Sequence, residues 1–185
     1  MPAGPEETAI SKRAEALLRS GEIGSAVVRE TGRIGAPIPV LTPERQRHSW
    51  FVPIAAGDRL AGFLQLLPDL TVLRYSSFQR REDRLDGCPP AELWIDTEKI
   101  RRVAQEKARP GETAGEPYLT YDRVPSRLVW AIPLSTTGGA TRTLYIAGRA
   151  IWEARPGDEQ MDFYGGGRAS SAPGNATDTP TSGES

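Results

Sequence analysis

Few residues in this chain could do chemistry. The 185 residues hold one histidine, His48, and one cysteine, Cys88. Any imidazole base must be His48, and any thiolate nucleophile must be Cys88. A metal site built from several histidines or cysteines is thereby excluded, as is an intrachain disulfide. Ser49 follows His48, but neighbours on a strand point to opposite faces, which rules out a local Ser–His couple if both lie on the strand. Cys88 lies between Gly87 and Pro89 in turn-rich chain, where an ordinary exposed or half-packed thiol is a simpler reading than a partner for His48. Asp96 and Glu98 stand at a helix start, where carboxylates cap free amides and offset the macrodipole, a reading that outweighs an acid–base pair. Gly165-Gly166-Gly167-Arg168 has no helical pattern after it to present amides to a phosphate, so it reads as spacer. No nucleotide fingerprint is present, and the expectation is a protein without cofactor, metal or catalytic role.

Charge narrows the partners. Lys and Arg number 23 against 24 Asp and Glu, a net charge of −1, so nothing draws the whole chain to nucleic acid. Acidic residues stand where a secretory leader would carry a basic start, and no segment is long and apolar enough to span a bilayer. A cytoplasmic protein with no membrane association is expected.

Elements that could position a site follow from periodicity. A helix is predicted over 8–20, with Ile10, Ala14, Leu17 and Leu18 on its apolar stripe, and a second over 22–30. Residues 37–42 carry two prolines and read as an edge strand. Residues 48–55, the Gly57-Asp58 turn, 59–67 and 70–78 read as a meander. After a mixed-charge run at 79–85 and the punctuation of 86–90, Asp96 caps a helix over 96–108 with Ile100, Val103, Ala104 and Ala108 buried. Residues 117–153 then form a ribbon in which Leu128, Trp130, Ile132 and Leu134 share one face. Beyond residue 155 the composition turns to Gly, Ser, Thr and Pro, and a disordered tail is expected.

The two ribbons match. Pro37 and Pro117, Trp50 and Trp130, and Pro53 and Pro133 are each 80 residues apart. A duplicated unit of helix plus small antiparallel sheet accounts for the shared offset, and units this small should pack together. The expected fold class is α+β, with an N-terminal unit over 1–85, a C-terminal unit over 86–154 and the tail over 155–185.

The strand Leu119-Thr120-Tyr121-Asp122, the strand from Arg127 through Trp130 to Leu134, the Gly-containing hairpin and the run from Arg142 to Gly148 resemble a PepSY domain. The first half resembles it more weakly, because glycines split its helix. The resemblance implies a cystatin-like helix on an antiparallel sheet, in modules that bind or restrain peptidases or sit beside other envelope and regulatory domains.

Apolar groups on both sheet faces set the functional expectation. Phe51, Phe63 and Leu67, with Val129, Tyr145 and Ile151, lie opposite the tryptophans, so each unit has more apolar surface than one helix covers. Those second faces should meet each other, a second chain or a ligand. The expectation is a non-catalytic protein that takes a peptide or partner protein at a sheet edge or inter-unit groove. Tyr118, Tyr121, Phe51 and Tyr145 are the candidate contacts, with Phe163 and Tyr164 of the tail as a docking motif. The alternatives are an assembly component, such as a homodimer, and a small enzyme using His48 or Cys88.

Overall fold

Pro5 suits the first turn of a helix, whose amides have no partner, and in the computed structural model, which describes residues 4–155, helix α1 spans Pro5–Ser20. The Glu7 carboxylate accepts the Gly4 amide at 3.0 Å, and Gly21 ends the helix at a φ of 81°. Its predicted stripe of Ile10, Ala14, Leu17 and Leu18 is buried. The second helix is shorter than its periodicity predicts. Gly24 takes a φ of 79°, so α2 covers only Ala26–Thr31, with the Ser25 hydroxyl accepting the Val28 amide as its cap.

Five strands follow: β1 (Arg33–Ile34), β2 (Ile38–Leu41), β3 (Arg47–Ala56), β4 (Arg59–Leu66) and β5 (Val72–Ser77). Ala56 and Arg59 pair across the Gly57-Asp58 turn, where Gly57 supplies the positive φ that a two-residue hairpin needs. The chain then makes the short helix α3 (Glu92–Ile95) and the amphipathic α4 (Thr97–Glu106), where the Asp96 carboxylate accepts the Lys99 amide at 2.9 Å. Strands β6 (Glu112–Ala114), β7 (Tyr118–Tyr121), β8 (Leu128–Thr136), β9 (Thr141–Ala147) and β10 (Ala150–Glu153) complete the described chain.

The 80-residue offset reappears in backbone geometry. β2 and β7 are 80 residues apart at both ends. Gly35 donates its amide to the Pro53 carbonyl at 2.9 Å, and Gly115 donates to Pro133 at 2.8 Å. A Cβ on either glycine would press on that proline ring, at 2.8 and 3.0 Å from Cγ.

The halves join differently from the expected stacking of two small sheets. They share one sheet, ordered β10-β9-β8-β7-β2-β3-β4-β5, with β1 also on β3 and β6 also on β8. The junction is the parallel pairing of β2 with β7, where Val40 partners Leu119. By the repeat, Leu119 corresponds to Pro39, so the junction is offset by one residue. In a strand that inverts the face. Val40 pairs with Ser49, Ile38 with Phe51 and Leu119 with Trp130, which puts Phe51 and Trp130 on one face and Trp50 on the other.

Each half therefore has its helices on the opposite side of the common sheet. Trp50, Val52 and Ile54 pack under α1 and α2, together with Ile10, Leu17 and Val28. Trp130, Ile132 and Leu134 pack under α4, together with Ile100 and Ala104. Phe51 and Phe63, the second face of the first half, belong to that same cluster. The second face of the second half holds a smaller one of Val129, Ala131 and Tyr145.

Candidate functional site

His48 is placed by a β-bulge. In the β2–β3 ladder Val40 pairs with Ser49 and Leu41 with Arg47, so His48 is the extra residue and the strict alternation of faces fails there. His48 Nδ1 consequently lies 3.0 Å from Ser49 Oγ, so the Ser–His contact that strict strand alternation rules out does form. Ser49 Oγ also accepts the Gln65 amide nitrogen at 2.8 Å, and Gln65 Oε1 accepts Arg74 Nε at 3.0 Å. Ser49 Oγ is thus shared between the Gln65 amide and the His48 ring, whose tautomer sets which of Nδ1 and Oγ donates. Burial lowers the His48 pKa and so favours the neutral ring. The hydroxyl itself is out of solvent's reach, since Ser49 is fully buried. Arg74 continues the chain across the molecule, donating to the Ser126 carbonyl at 2.8 Å.

Cys88 is more enclosed than its turn-rich setting predicts. Its residue exposure is 2%, and burial pushes the thiol up from its ordinary value, with Arg59 opposing and Asp86 adding. Its carbonyl accepts Arg59 Nη1 at 3.2 Å, whereas His48 contacts Ser49 and, edge to face at 5.6 Å, Tyr121. The structure does not bring the histidine and the cysteine together. Asp96 serves as the helix cap. Among the described residues no three His, Cys, Asp or Glu side chains gather as a metal site.

The tyrosine candidates are packing residues here. β7 was expected to offer an open edge near Tyr118 and Tyr121, but it is held between β8 and β2 in the middle of the sheet. The ends of the described sheet are β5 and β10, and the short β1 and β6 each pair on one side only. Tyr121 is buried beside His48, and Tyr118 lies under the Arg45 guanidinium at 3.5 Å. Tyr145 is buried against the edge of Trp152, and Phe51 is fully buried between Phe63 and Trp94. Phe163 and Tyr164 lie outside the described residues.

A different set of side chains lines a groove of about 560 Å³ between the halves. Arg59, Phe78 and Arg80 come from the first half, and Leu93, Trp94, Gly148 and Arg149 from the second. Pro89 and Pro90 of the connecting segment lie between them. Two hairpin turns frame it, because Arg59 leaves the Gly57-Asp58 turn and Gly148-Arg149 is the turn between the paired Ala147 and Ala150. In the sheet β8, β7 and β2 separate the β9–β10 hairpin from the β3–β4 hairpin, a span over which strand twist accumulates to on the order of 80°.

The groove has a rigid aromatic side and a cationic side. The Trp94 ring lies near-parallel to Phe51 at 6.4 Å and 5.9 Å from Phe78, and its carbonyl accepts Trp130 Nε1 at 3.0 Å. Opposite charge is scarce there: Asp86 lies in the lining, and Asp58 is 3.6 Å from Arg59 at the surface. None of the four described tyrosine and phenylalanine candidates lines this groove. Sequence reading passed over Trp94 and the three arginines because they follow no shared period. The available signal was a fourth tryptophan, four residues after Pro90, in the segment between the two halves. A second cleft, of about 580 Å³, lies between residues 22–29 and β5, drawn from the first half and bordered by the same Arg80.

Among the described residues no helix is long and apolar enough to cross a membrane. No protein-family model, curated protein or solved structure matches this chain.

Proposed function

We propose that this is a non-catalytic binding protein, two PepSY-like helix-on-sheet units in tandem, that takes an extended peptide or partner segment in the groove between the units. The observation that carries the reading is the groove's composition. Trp94 and Phe78, fixed by packing behind them, face a space of about 560 Å³, within the size range of ligand sites, and arginines from both halves surround it. Rigid aromatic and arginine groups at a concave joint are the groups that most often carry binding energy. The equivalence of Gly35–Pro53 with Gly115–Pro133 supports the tandem-unit part of the reading.

The test is an array of N-acetylated random-sequence peptides probed with the full chain and with Leu93→Arg, which fills the apolar lining but keeps the arginines. Peptides captured by the wild type should be lost from Leu93→Arg while its melting temperature holds. Capture that survives Leu93→Arg would remove the groove as the binding surface.

One observation favours a second reading, assembly of copies. β5 is an open edge carrying the exposed Val72 and Leu73, 39% and 43% accessible, and such an edge is a template for another strand. A dimer in light scattering that Leu73→Lys converts to monomer would support it, and a monomeric wild type at micromolar concentration would dispose of it.

A further inference from the structure

We infer that the groove receives the free C-terminal carboxylate of a peptide whose last side chain is apolar or aromatic; this rests on the groove reading above and names its ligand. Arg80 and Arg149 are exposed and have no ion pair or side-chain hydrogen bond among the described residues. Arg59 is held in place by the Cys88 carbonyl at 3.2 Å, yet 41% of its side chain remains accessible. Three arginines thus line one concavity, and the planar fork of a guanidinium matches a carboxylate in a bidentate pair.

Arg80 is positioned as well as charged. A Cβ on Gly87 would come within 3.2 Å of the Arg80 Cγ, so the aliphatic stem of that arginine lies along the connecting segment. Gly148 makes a similar close approach, since a Cβ there would be 3.3 Å from Trp94 Nε1. The turn that carries Arg149 is thereby set directly beside the indole. A charged end bound by Arg149 has an aromatic surface next to it for the adjoining side chain.

The rest of the lining separates a peptide end from a simple anion. Phe78, Leu93 and Trp94 offer apolar area that a phosphate could not use. Asp86 can accept an N–H from a peptide backbone, a donor that a simple phosphate does not carry. Charge complementarity and apolar area together fit a monoanionic carboxylate attached to an apolar side chain.

The experiment uses the full chain and N-acetylated random peptides synthesised in two forms, free acid and carboxamide, followed by fluorescence anisotropy. Free acids ending in Leu, Phe or Trp should bind, and their carboxamides should bind about tenfold or more weakly. Arg149→Glu should weaken the free acids by a similar factor and leave the carboxamides unchanged, and Arg149→Lys should recover part of the loss. Arg149 is on an exposed turn, so these variants should fold; an unshifted melting temperature checks it. If acids and carboxamides bind alike and both are lost in Leu93→Arg, the end-carboxylate inference fails and the groove reading stands. If neither form is lost in Leu93→Arg, both fail. Tighter binding of inorganic phosphate than of any free acid would make this a phosphate site and overturn the inference.

Discussion

Val40 and Leu119 are direct partners across the parallel junction of β2 with β7, one residue away from the pairing that the 80-residue repeat would give. The offset inverts one half relative to the other, sends their helices to opposite faces and places Phe51 of the first half in the core cluster of the second. Both junction residues are essentially inaccessible, at 0% and 1%.

The shared cluster couples the halves. Amide exchange should show comparable protection in β3 and β8, and denaturation should follow one transition. Leu119→Ala should cost about 2–5 kcal/mol and lower protection in both strands together. Loss confined to β8 would show that the halves unfold independently.

Gly35 and Gly115 should be equally intolerant of a side chain. Each approaches a proline ring to within 3.0 Å of where a Cβ would stand, so Gly35→Ala and Gly115→Ala should each destabilise the protein by about 1–3 kcal/mol. Urea denaturation of the two variants measures this, and a neutral result at one position alone would break the structural equivalence of the repeats.

Acid should act through Glu112. Its carboxylate accepts Arg142 Nε at 2.8 Å and Nη2 at 2.7 Å, and also the Arg109 amide at 2.7 Å. The Arg142 hydrogen bonds, with the Arg109 amide next, hold the Glu112 pKa down at about 2, from an ordinary 4.5. A depressed carboxylate contributes stability that is complete above the unfolded value and lost as pH falls through the folded one. Urea midpoints should therefore fall more steeply for the wild type than for Glu112→Gln between pH 4.5 and about 2. Parallel curves would count against the pairing.

His48 should give a second pH effect, nearer neutrality. Burial lowers its pKa below 6.5, so the unfolded chain binds a proton more readily and stability falls as pH drops below that value. Protonation would also make Nδ1 a donor toward Ser49 Oγ. His48→Gln should flatten the urea midpoint between about pH 7.5 and about pH 5. Ser49→Ala, which strands the Gln65 amide in a buried position, should cost about 1–3 kcal/mol at any pH in that range.

How much of the candidate site was legible varied by residue. That only His48 or Cys88 could supply imidazole or thiol chemistry followed from composition. That His48 meets Ser49 did not, because a bulge is a property of two strands in register and the β3 sequence alone shows only alternation. Tyr118 and Tyr121 looked like edge residues because nothing in the order of the chain says that β7 will find β2.

The amino-acid sequence by itself determined the longer helices α1 and α4 and the antiparallel meanders within each half, but not the short α3, β1 and β6. Helical stripes, caps, prolines and glycine turns act over a few residues, and the 80-residue offset repeats them. The α+β class follows from those elements. Tertiary structure alone decided that the halves share one sheet, which face each presents, and that Arg59, Trp94 and Arg149 border one groove. The reason is physical: a strand's two edges are chemically alike, so a one-residue choice of register between distant segments is made by packing, and that choice moves every side chain beyond it to the other face.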